Sequence, residues 1–406
     1  MSRRIDYPAP GLVATTAELA ALCTRLRAEP FVTIDTEFMR ERTYYPELCV
    51  VQLGGERENA VIDTLAAGLD LAPLADLLSD PAVLKVFHAA RQDIEIFLEL
   101  FGTVPTPLFD TQVAAMVAGF GDQVGYDALV GALTGGQIDK AHRFSDWSAR
   151  PLSQAQVTYA AADVTHLHTA YQRLRDRLER EGRTAWVLEE MQVLTRAKTY
   201  RADPDTMWER LRPRTGNRRM LGVLRGIAAW REREAQRVNI PRQRLLRDES
   251  LLEIAAVAPA NSEALARCRG IARGFAEGRS GVGLLGAIAA ATALPEDDLP
   301  DAPKGRDGPR PSPALVSLLK VLLAAKCEEH DVAPKLVASS DDIDRLSLEA
   351  EPDISALAGW RRTVFGDAAL ALKSGRVAIG VEGKRVKLIP APGPVGQVSQ
   401  TEPVLE

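Results

Sequence analysis

Three short runs of β-branched and apolar residues, separated by turn-rich gaps, constrain the fold of this chain most strongly. They lie at residues 31–38, 48–53 and 60–63 and read FVTIDTEF, LCVVQL and AVID. Runs of this length and composition are typical of β-strands, and short connections allow neighbouring strands to pair antiparallel. The runs therefore predict an antiparallel meander at the start of a mixed α/β domain.

Further strands and helices follow the meander. Short apolar runs predict strands at 83–88 and 108–110, and helical periodicity predicts helices at 93–100 and 111–117. Residues 153–177 begin with Ser and keep apolar residues on one helical stripe, which predicts a long helix. Strands that alternate with helices are typical of an α/β domain, which we expect to occupy residues 1–200.

The pattern changes near residue 205, after which short amphipathic helices alone are expected. A chain of 406 residues exceeds the size of one hydrophobic core, so further domains are expected. We predict an all-α domain at 205–294, a proline-rich linker at 295–313, a second all-α domain at 314–389 and a disordered tail at 390–406.

Positive charge is concentrated in one part of an otherwise acidic chain. The net charge is -5, yet residues 196–247 contain 15 Lys and Arg against 5 Asp and Glu. A basic segment of this kind suits binding to phosphates, although a solvated arginine-rich helix face would have the same composition. No apolar run is long enough for a membrane span, and the start MSRRIDYPAP has no apolar core of the signal-peptide kind, so we expect a cytoplasmic protein.

Several motifs are weaker than their spelling suggests. The four cysteines are scattered, which favours neither disulfides nor a zinc site. Gly281 to Gly286 spell the dinucleotide pattern G-x-G-x-x-G, but no strand precedes them, so no nucleotide cofactor is expected. Cys327 and His330 have the spacing of zinc ligands without a second pair of ligands, and a structural role is favoured.

Acidic residues at three places predict a metal site. Asp35 and Glu37 are two apart on a strand and share one face, although acidic pairs on half-exposed strands are common. Asp93 lies in the first turn of a helix, where an acid also offsets the helix dipole. Tyr159 and Asp163 share a helical face four residues apart, a spacing that also suits a structural pair.

Together these five residues supply four carboxylates and one phenol. Such a set suits two hard divalent cations, Mg²⁺ or Mn²⁺, bound by oxygen ligands. Two ions can activate a water and stabilise both the entering and the leaving oxygen of a phosphodiester, while the tyrosine orients the water. The residues therefore predict a metal-dependent nuclease.

The segments DTEFMRERTYYPELCVVQL, HAARQDIEIF, FDTQVAA and DWSARPLSQAQVTYAAADVTHL resemble the ribonuclease D family of DEDD exonucleases with a tyrosine in the third motif. This resemblance implies a ribonuclease-H-like mixed-sheet exonuclease domain followed by two all-α helical domains. It implies that Asp35, Glu37, Asp93 and Asp163 bind two metal ions and that Tyr159 assists catalysis. It also implies 3′-to-5′ removal of 5′-mononucleotides from RNA, in the maturation of transfer RNA and other stable RNA 3′ ends.

The basic segment also resembles the helicase-and-RNase-D C-terminal (HRDC) domain, carried by LRGIAAWREREAQRVNIPRQRLLRDESLLEIAAVAP. Residues 205–294 are therefore expected to bind RNA, and 314–389 look like a second, more divergent copy. Met39, Tyr44 and His88 are candidate substrate contacts near the first two motifs. A monomer is favoured. A non-catalytic RNA-binding scaffold and a DNA exonuclease remain alternatives, because the motifs do not encode the choice of backbone.

Overall fold

The computed structural model describes residues 10–302 and 309–391. Of the predicted linker at 295–313, only 303–308 lie outside these residues; Leu299, in the described part, is buried. The predicted tail lies outside them from 392 onward. The described residues form two compact units, one containing 10–109, 138–168 and 193–302, the other containing 110–137, 169–192 and 309–391. None of the helices among them combines the length and the apolar composition that a bilayer crossing requires.

Six strands form one mixed sheet with the order β1-β4-β3-β2-β5-β6. In chain order they are β1 (Gly11–Val13), β2 (Phe31–Met39), β3 (Glu47–Gly54), β4 (Asn59–Asp63), β5 (Leu84–Phe87) and β6 (Leu108–Asp110). β3 pairs antiparallel with both β2 and β4, which confirms the predicted meander. β2 pairs parallel with β5 on its other side and so lies in the interior of the sheet.

Seven helices accompany these strands: α1 (Thr16–Leu26), α2 (Ala72–Leu78), α3 (Arg91–Phe101), α4 (Thr111–Val117), α5 (Tyr126–Thr134), α6 (Gln154–Arg180) and α7 (Thr184–Leu194). The structure confirms the helices predicted at 93–100, 111–117 and 153–177, with small shifts at their ends. α1 was not predicted, although Thr15 and Glu18 form a capping box at its start.

The predicted change to helices near residue 205 is confirmed. A 3₁₀ helix at Pro204–Leu211 leads into α8 (Arg218–Val238), α9 (Arg242–Leu245), α10 (Asp248–Val257), α11 (Ser262–Ala266), α12 (Arg273–Glu277) and α13 (Arg279–Thr292). Short 3₁₀ turns lie at Ala197–Thr199 and Glu296–Asp298. Buried residues such as Leu224, Leu251 and Leu284 give this region its own hydrophobic core.

The G-x-G-x-x-G pattern lies within α13 and has a packing role there. A Cβ on Gly281 would lie 2.3 Å from the carbonyl oxygen of Phe275, and one on Gly283 would lie 2.9 Å from the indole nitrogen of Trp230. Two of these glycines therefore allow close packing against neighbouring residues.

The region at 314–389 is helical for most of its length but ends differently from the prediction. Its helices are α14 (Pro313–His330), α15 (Pro334–Val337), α16 (Ser340–Leu348), α17 (Gly359–Arg361) and α18 (Asp367–Lys373), with a 3₁₀ turn at Ser355–Leu357 and a π-helical turn at Arg362–Gly366. Cys327 is buried in its core.

The expectation of an all-α region was wrong at its end. β7 (Val377–Glu382) and β8 (Arg385–Pro390) form an antiparallel hairpin. Apolar residues alternate along both strands, and Gly383 adopts a positive φ of 62° in the two-residue turn. The signal was thus present in the sequence, because glycine is favoured where a tight hairpin turn needs this conformation.

Candidate functional site

Three of the predicted carboxylates lie together where β2 meets α6. One oxygen from each of Asp35, Glu37 and Asp163 lies within 4.8 Å of the other two, and the described residues contain no second group of this kind. Asp35 and Glu37 are two residues apart on β2, so their side chains point to the same face of the sheet. Asp163 reaches them from α6 and is buried. The carboxylate cluster, as we call these three residues, is a compact set of oxygen donors.

Close packing of α6 on the sheet brings Asp163 to this position. The Thr33 hydroxyl, two residues before Asp35 on β2, donates a hydrogen bond of 2.8 Å to the carbonyl oxygen of Val164. A Cβ at Gly54 would lie 2.5 Å from Thr33 Oγ1 and 3.1 Å from Val164 Cβ. Glycine at this position of β3 therefore leaves the space that the helix occupies.

Burial raises the pKa of each carboxyl group in the cluster, and repulsion adds to the effect for Glu37 and Asp163. Burial raises the pKa of Glu37 to about 9, and the negative charges of Asp35, Asp163 and Asp93 add to the effect. Burial, followed by the charge of Asp35, raises the pKa of Asp163 to about 8. Burial raises the pKa of Asp35 to about 6. The cluster therefore holds protons at neutral pH, and a divalent cation would displace them.

Asp93 lies beside the cluster rather than within it. It is buried in the first turn of α3, and its Oδ1 accepts a hydrogen bond of 2.5 Å from the hydroxyl of Thr36. Thr36 alternates with the two acids of β2, so its side chain points to the opposite face of the strand. The charge of Asp93 still reaches Glu37 and raises the pKa of that group. Sequence reasoning missed Thr36, because no local pattern marks a contact across 57 residues.

Tyr159 lies one helical turn before Asp163, and its hydroxyl donates a hydrogen bond to that carboxylate. Burial, followed by the charges of Asp163, Glu37 and Asp35, raises the pKa of the phenol. Its ring centroid lies 6.1 Å from that of Trp147 and 6.0 Å from that of His142. The phenol therefore stays neutral at physiological pH, in the state that can orient a water through a hydrogen bond.

Arg150 anchors the segment that leads into α6, and sequence reasoning also missed it. Its guanidinium forms an ion pair of 2.7 Å with Asp63 and donates hydrogen bonds to the carbonyl oxygens of Cys49 and Trp147. These contacts tie the segment to β3 and β4. A single arginine has no periodic pattern that could reveal such a role.

The three candidate substrate contacts have different surroundings. Met39 ends β2 and packs against the small apolar cluster that also contains Trp147. His88 directly follows β5 and is half-buried. Tyr44 donates its hydroxyl to Glu232 of α8, and its backbone N–H donates to Asn239 Oδ1 at 3.1 Å. Tyr44 thus joins the loop after β2 to the basic helical region.

A cleft of about 640 Å³ is lined partly by residues that are close in sequence to the predicted acids. Arg40, three residues after Glu37, and Arg91, two residues before Asp93, both line it. Its other charged and aromatic lining residues are Arg201, Arg210, Arg242, Glu95, Glu99, Tyr44, Tyr45 and Tyr200. We call this site the arginine cleft; its five arginines outnumber its two glutamates.

Two family models match the chain. The model described as a 3′-5′ exonuclease matches residues 11–179, which include all five predicted site residues. The model described as the HRDC domain matches residues 220–288, within the basic helical region.

Comparison with individual proteins extends the match to nearly the whole chain. The chain is 71% identical over 388 residues to a ribonuclease D of Gluconacetobacter diazotrophicus, covering 96% of this chain and 99% of that protein. It is 71% identical over 392 residues to a ribonuclease D of Granulibacter bethesdensis, again covering 96% and 99%. The crystal structure of Escherichia coli RNase D, described as an exoribonuclease involved in structured RNA processing, matches with a TM-score of 0.78 and 31% identity, covering 90% of this chain and 98% of that one.

Proposed function

The chain belongs to the ribonuclease D family, and from this membership we propose how it degrades RNA. It is a divalent-metal-dependent 3′-to-5′ exoribonuclease. We propose that it hydrolyses the last phosphodiester of an RNA with a free 3′ end at the carboxylate cluster and releases 5′-mononucleotides. The observation that carries this proposal is the approach of three carboxylates to within 4.8 Å of one another.

The chemistry of the cluster fits the ions that the proposal requires. Carboxylate oxygens are the ligands preferred by hard cations such as Mg²⁺ and Mn²⁺, and the cluster offers neither nitrogen nor sulfur. The raised pKa values of Glu37 and Asp163 show that the charged forms lack compensation from the protein alone. A bound cation would supply that compensation.

We propose that Asp35, Glu37, Asp93 and Asp163 hold two such ions. When bound, two ions activate a water and stabilise the entering and leaving oxygens of the phosphodiester. Tyr159 keeps its proton and orients the water by hydrogen bonding, while Asp163 holds the phenol in place. Thr36 fixes the carboxylate of Asp93.

Replacing Asp163 by Asn tests the site directly. Removing one charged ligand should cost several kcal/mol of transition-state stabilisation, so digestion of a 3′-hydroxyl RNA should slow at least about 1,000-fold. Calorimetric titration with Mn²⁺ should show weaker binding, and a melting curve should show that the protein still folds. Asp76→Asn, at an exposed carboxylate, is the matched control. Undiminished digestion by the Asp163 variant would overturn the assignment, and matched DNA substrates would reveal a DNA exonuclease.

We propose residues 1–200 as the exonuclease domain, 205–294 as an RNA-binding HRDC domain and 314–389 as a second HRDC-like domain, with the linker at 295–313.

The arginine cleft supports RNA binding by the basic segment, since its cations can contact phosphates and its tyrosines can stack on bases. Arg201 and Arg210 form no ion pair within the described part of the chain. They are therefore available to phosphates.

Alanine at Arg201 and at Arg210 tests this role of the cleft. Each lost phosphate contact should reduce the slope of log(kcat/KM) against log[salt] by about 0.7 for a single-stranded RNA. Arg267→Ala, at an exposed arginine of the same helical region, should leave the slope unchanged. Equal slopes for wild type and both cleft variants would contradict the proposal, even if digestion itself proceeds.

For the cellular role we propose maturation of transfer RNA precursors and other stable RNAs in the cytoplasm by a monomeric enzyme. For the role in RNA processing, the support is the family membership together with the RNA-processing description of the Escherichia coli structure. Sequencing the RNA 3′ ends that copurify with the Asp163→Asn variant tests the substrate. Extended transfer RNA 3′ ends should be enriched, and their absence would count against this role.

A further inference from the structure

Phe144 is the most exposed large apolar side chain among the described residues, with 92% of its surface open to solvent. It lies in the irregular segment that precedes α6. A phenyl ring that is exposed to water lacks the stabilisation that burial of its apolar surface would give. Single exposed apolar residues are nevertheless common on protein surfaces, so the neighbours of Phe144 decide whether it has a function.

Those neighbours connect Phe144 to the proposed reaction centre. The His142 ring lies edge-on to the Tyr159 ring with centroids 6.0 Å apart. The Tyr159 hydroxyl in turn binds Asp163 of the carboxylate cluster. The segment therefore contacts the phenol that we assign to catalysis, and Phe144 follows that contact by two residues.

Arg143, between His142 and Phe144 in the sequence, adds a positive charge to this segment. Its guanidinium carbon lies 5.5 Å from the centroid of the Phe144 ring, and its charge acts on the Tyr159 phenol. Within the described part of the chain Arg143 forms no ion pair with a carboxylate. A cation and an exposed aromatic face thus lie side by side, and the charge of the cation acts on the Tyr159 phenol. A nucleotide presents the complementary groups, an anionic phosphate and the flat face of a base.

We propose that Phe144 stacks on the base of the nucleotide at the RNA 3′ end and that Arg143 binds a phosphate beside it. This inference rests on the proposed exoribonuclease function, because it assigns contacts to the same substrate. Stacking suits an enzyme that removes successive nucleotides, since every base has a π face and no particular base is selected. The pair would hold the strand end while Tyr159 and the carboxylates act on its phosphodiester.

A substitution series combined with an abasic substrate tests the proposal. Loss of one stacked base corresponds to about a 5- to 150-fold effect, so Phe144→Ala should lower kcat/KM for single-stranded RNA by that amount. Phe144→Trp should restore activity because it keeps an aromatic face, whereas Phe144→Leu should not. On an RNA that lacks the base at its 3′-terminal nucleotide, wild type and Phe144→Ala should be equally slow.

Leu188→Ala is the matched control, since Leu188 is 57% exposed on α7 and its truncation should leave both substrates unaffected. The melting temperature of Phe144→Ala should equal that of wild type, because the ring contributes little to the core. Arg143→Ala should reduce the salt slope of kcat/KM by about 0.7. Equal kcat/KM for Phe144→Ala and wild type on the intact RNA would overturn the inference. Failure of the wild-type protein to digest RNA would instead overturn the proposed function.

Discussion

Replacing Glu37 by Gln should make the metal-free protein more stable at alkaline pH. Burial and three neighbouring acids raise the pKa of Glu37 from 4.5 to about 9. The folded protein therefore keeps a proton on Glu37 that the unfolded chain releases above pH 4.5. The free energy of unfolding is then highest below about pH 4.5 and falls as pH rises toward about 9. Glutamine resembles the protonated acid and avoids this loss.

The size of the effect follows from the interval between the two pKa values. At pH 8 the group is about 3.5 units above its ordinary pKa, and each unit corresponds to about 1.4 kcal/mol. Glu37 is only partly buried and water screens its charge, so we expect a gain of about 2 kcal/mol rather than the full amount. A gain of that size corresponds to an increase in melting temperature of roughly 4–8 °C.

Thermal melts between pH 5 and pH 9, with a chelator present, measure this difference. Glu37→Gln should melt above wild type at pH 8 and near it at pH 5. Saturating Mn²⁺ should reverse the order of the two melting temperatures at pH 8. Mn²⁺ at about 1,000 times its Kd adds about 4 kcal/mol to the free energy of unfolding of wild type. It should add less to Glu37→Gln, which has lost one of the proposed metal-binding carboxylates. Glu41→Gln, at an exposed glutamate on the loop after β2, should follow wild type throughout. If metal-free Glu37→Gln melts at or below the wild-type temperature at pH 8, the reasoning is refuted.

Two further substitutions test how the site is positioned. Thr36→Val removes the hydroxyl that binds Asp93 while keeping the shape of the side chain, and it should lower metal affinity or kcat/KM by about 10- to 100-fold. Thr36→Ser keeps a hydroxyl and should restore most of the loss. Unchanged metal affinity and kcat/KM for Thr36→Val would show that the hydrogen bond is dispensable. Gly54→Ala should destabilise the protein by about 1–3 kcal/mol, because the new methyl group would collide with Thr33 Oγ1 and press on α6. Gly11→Ala, at a glycine with open space around its Cα, is its control in denaturant melts, and equal midpoints for both variants would argue against close packing at Gly54.

The elements that carry the site were predictable because each has a strong local pattern. The run predicted at 31–38 is β2 at Phe31–Met39, and the helix predicted at 153–177 is α6 at Gln154–Arg180. Alternation on a strand and the four-residue spacing on a helix fix which side chains share a face. They do not fix how far apart the two elements lie. That distance depends on Thr33 and Gly54, whose contact with α6 joins residues more than a hundred positions apart.

Charge counting along the chain likewise predicted a basic region without showing which arginines could bind RNA. On α8, Arg231, Arg233 and Arg237 form ion pairs of 2.7–2.8 Å with Asp248, Asp205 and Glu234. An arginine paired in this way would have to leave a carboxylate before it could contact a phosphate. The gain in binding free energy is therefore smaller than for an arginine that has no ion pair to break. The excess of 15 cations over 5 anions therefore overstates the charge available on this helix. Because Arg201 and Arg210 precede α8 and line the arginine cleft, the salt dependence of digestion should depend on them more than on the arginines of the helix.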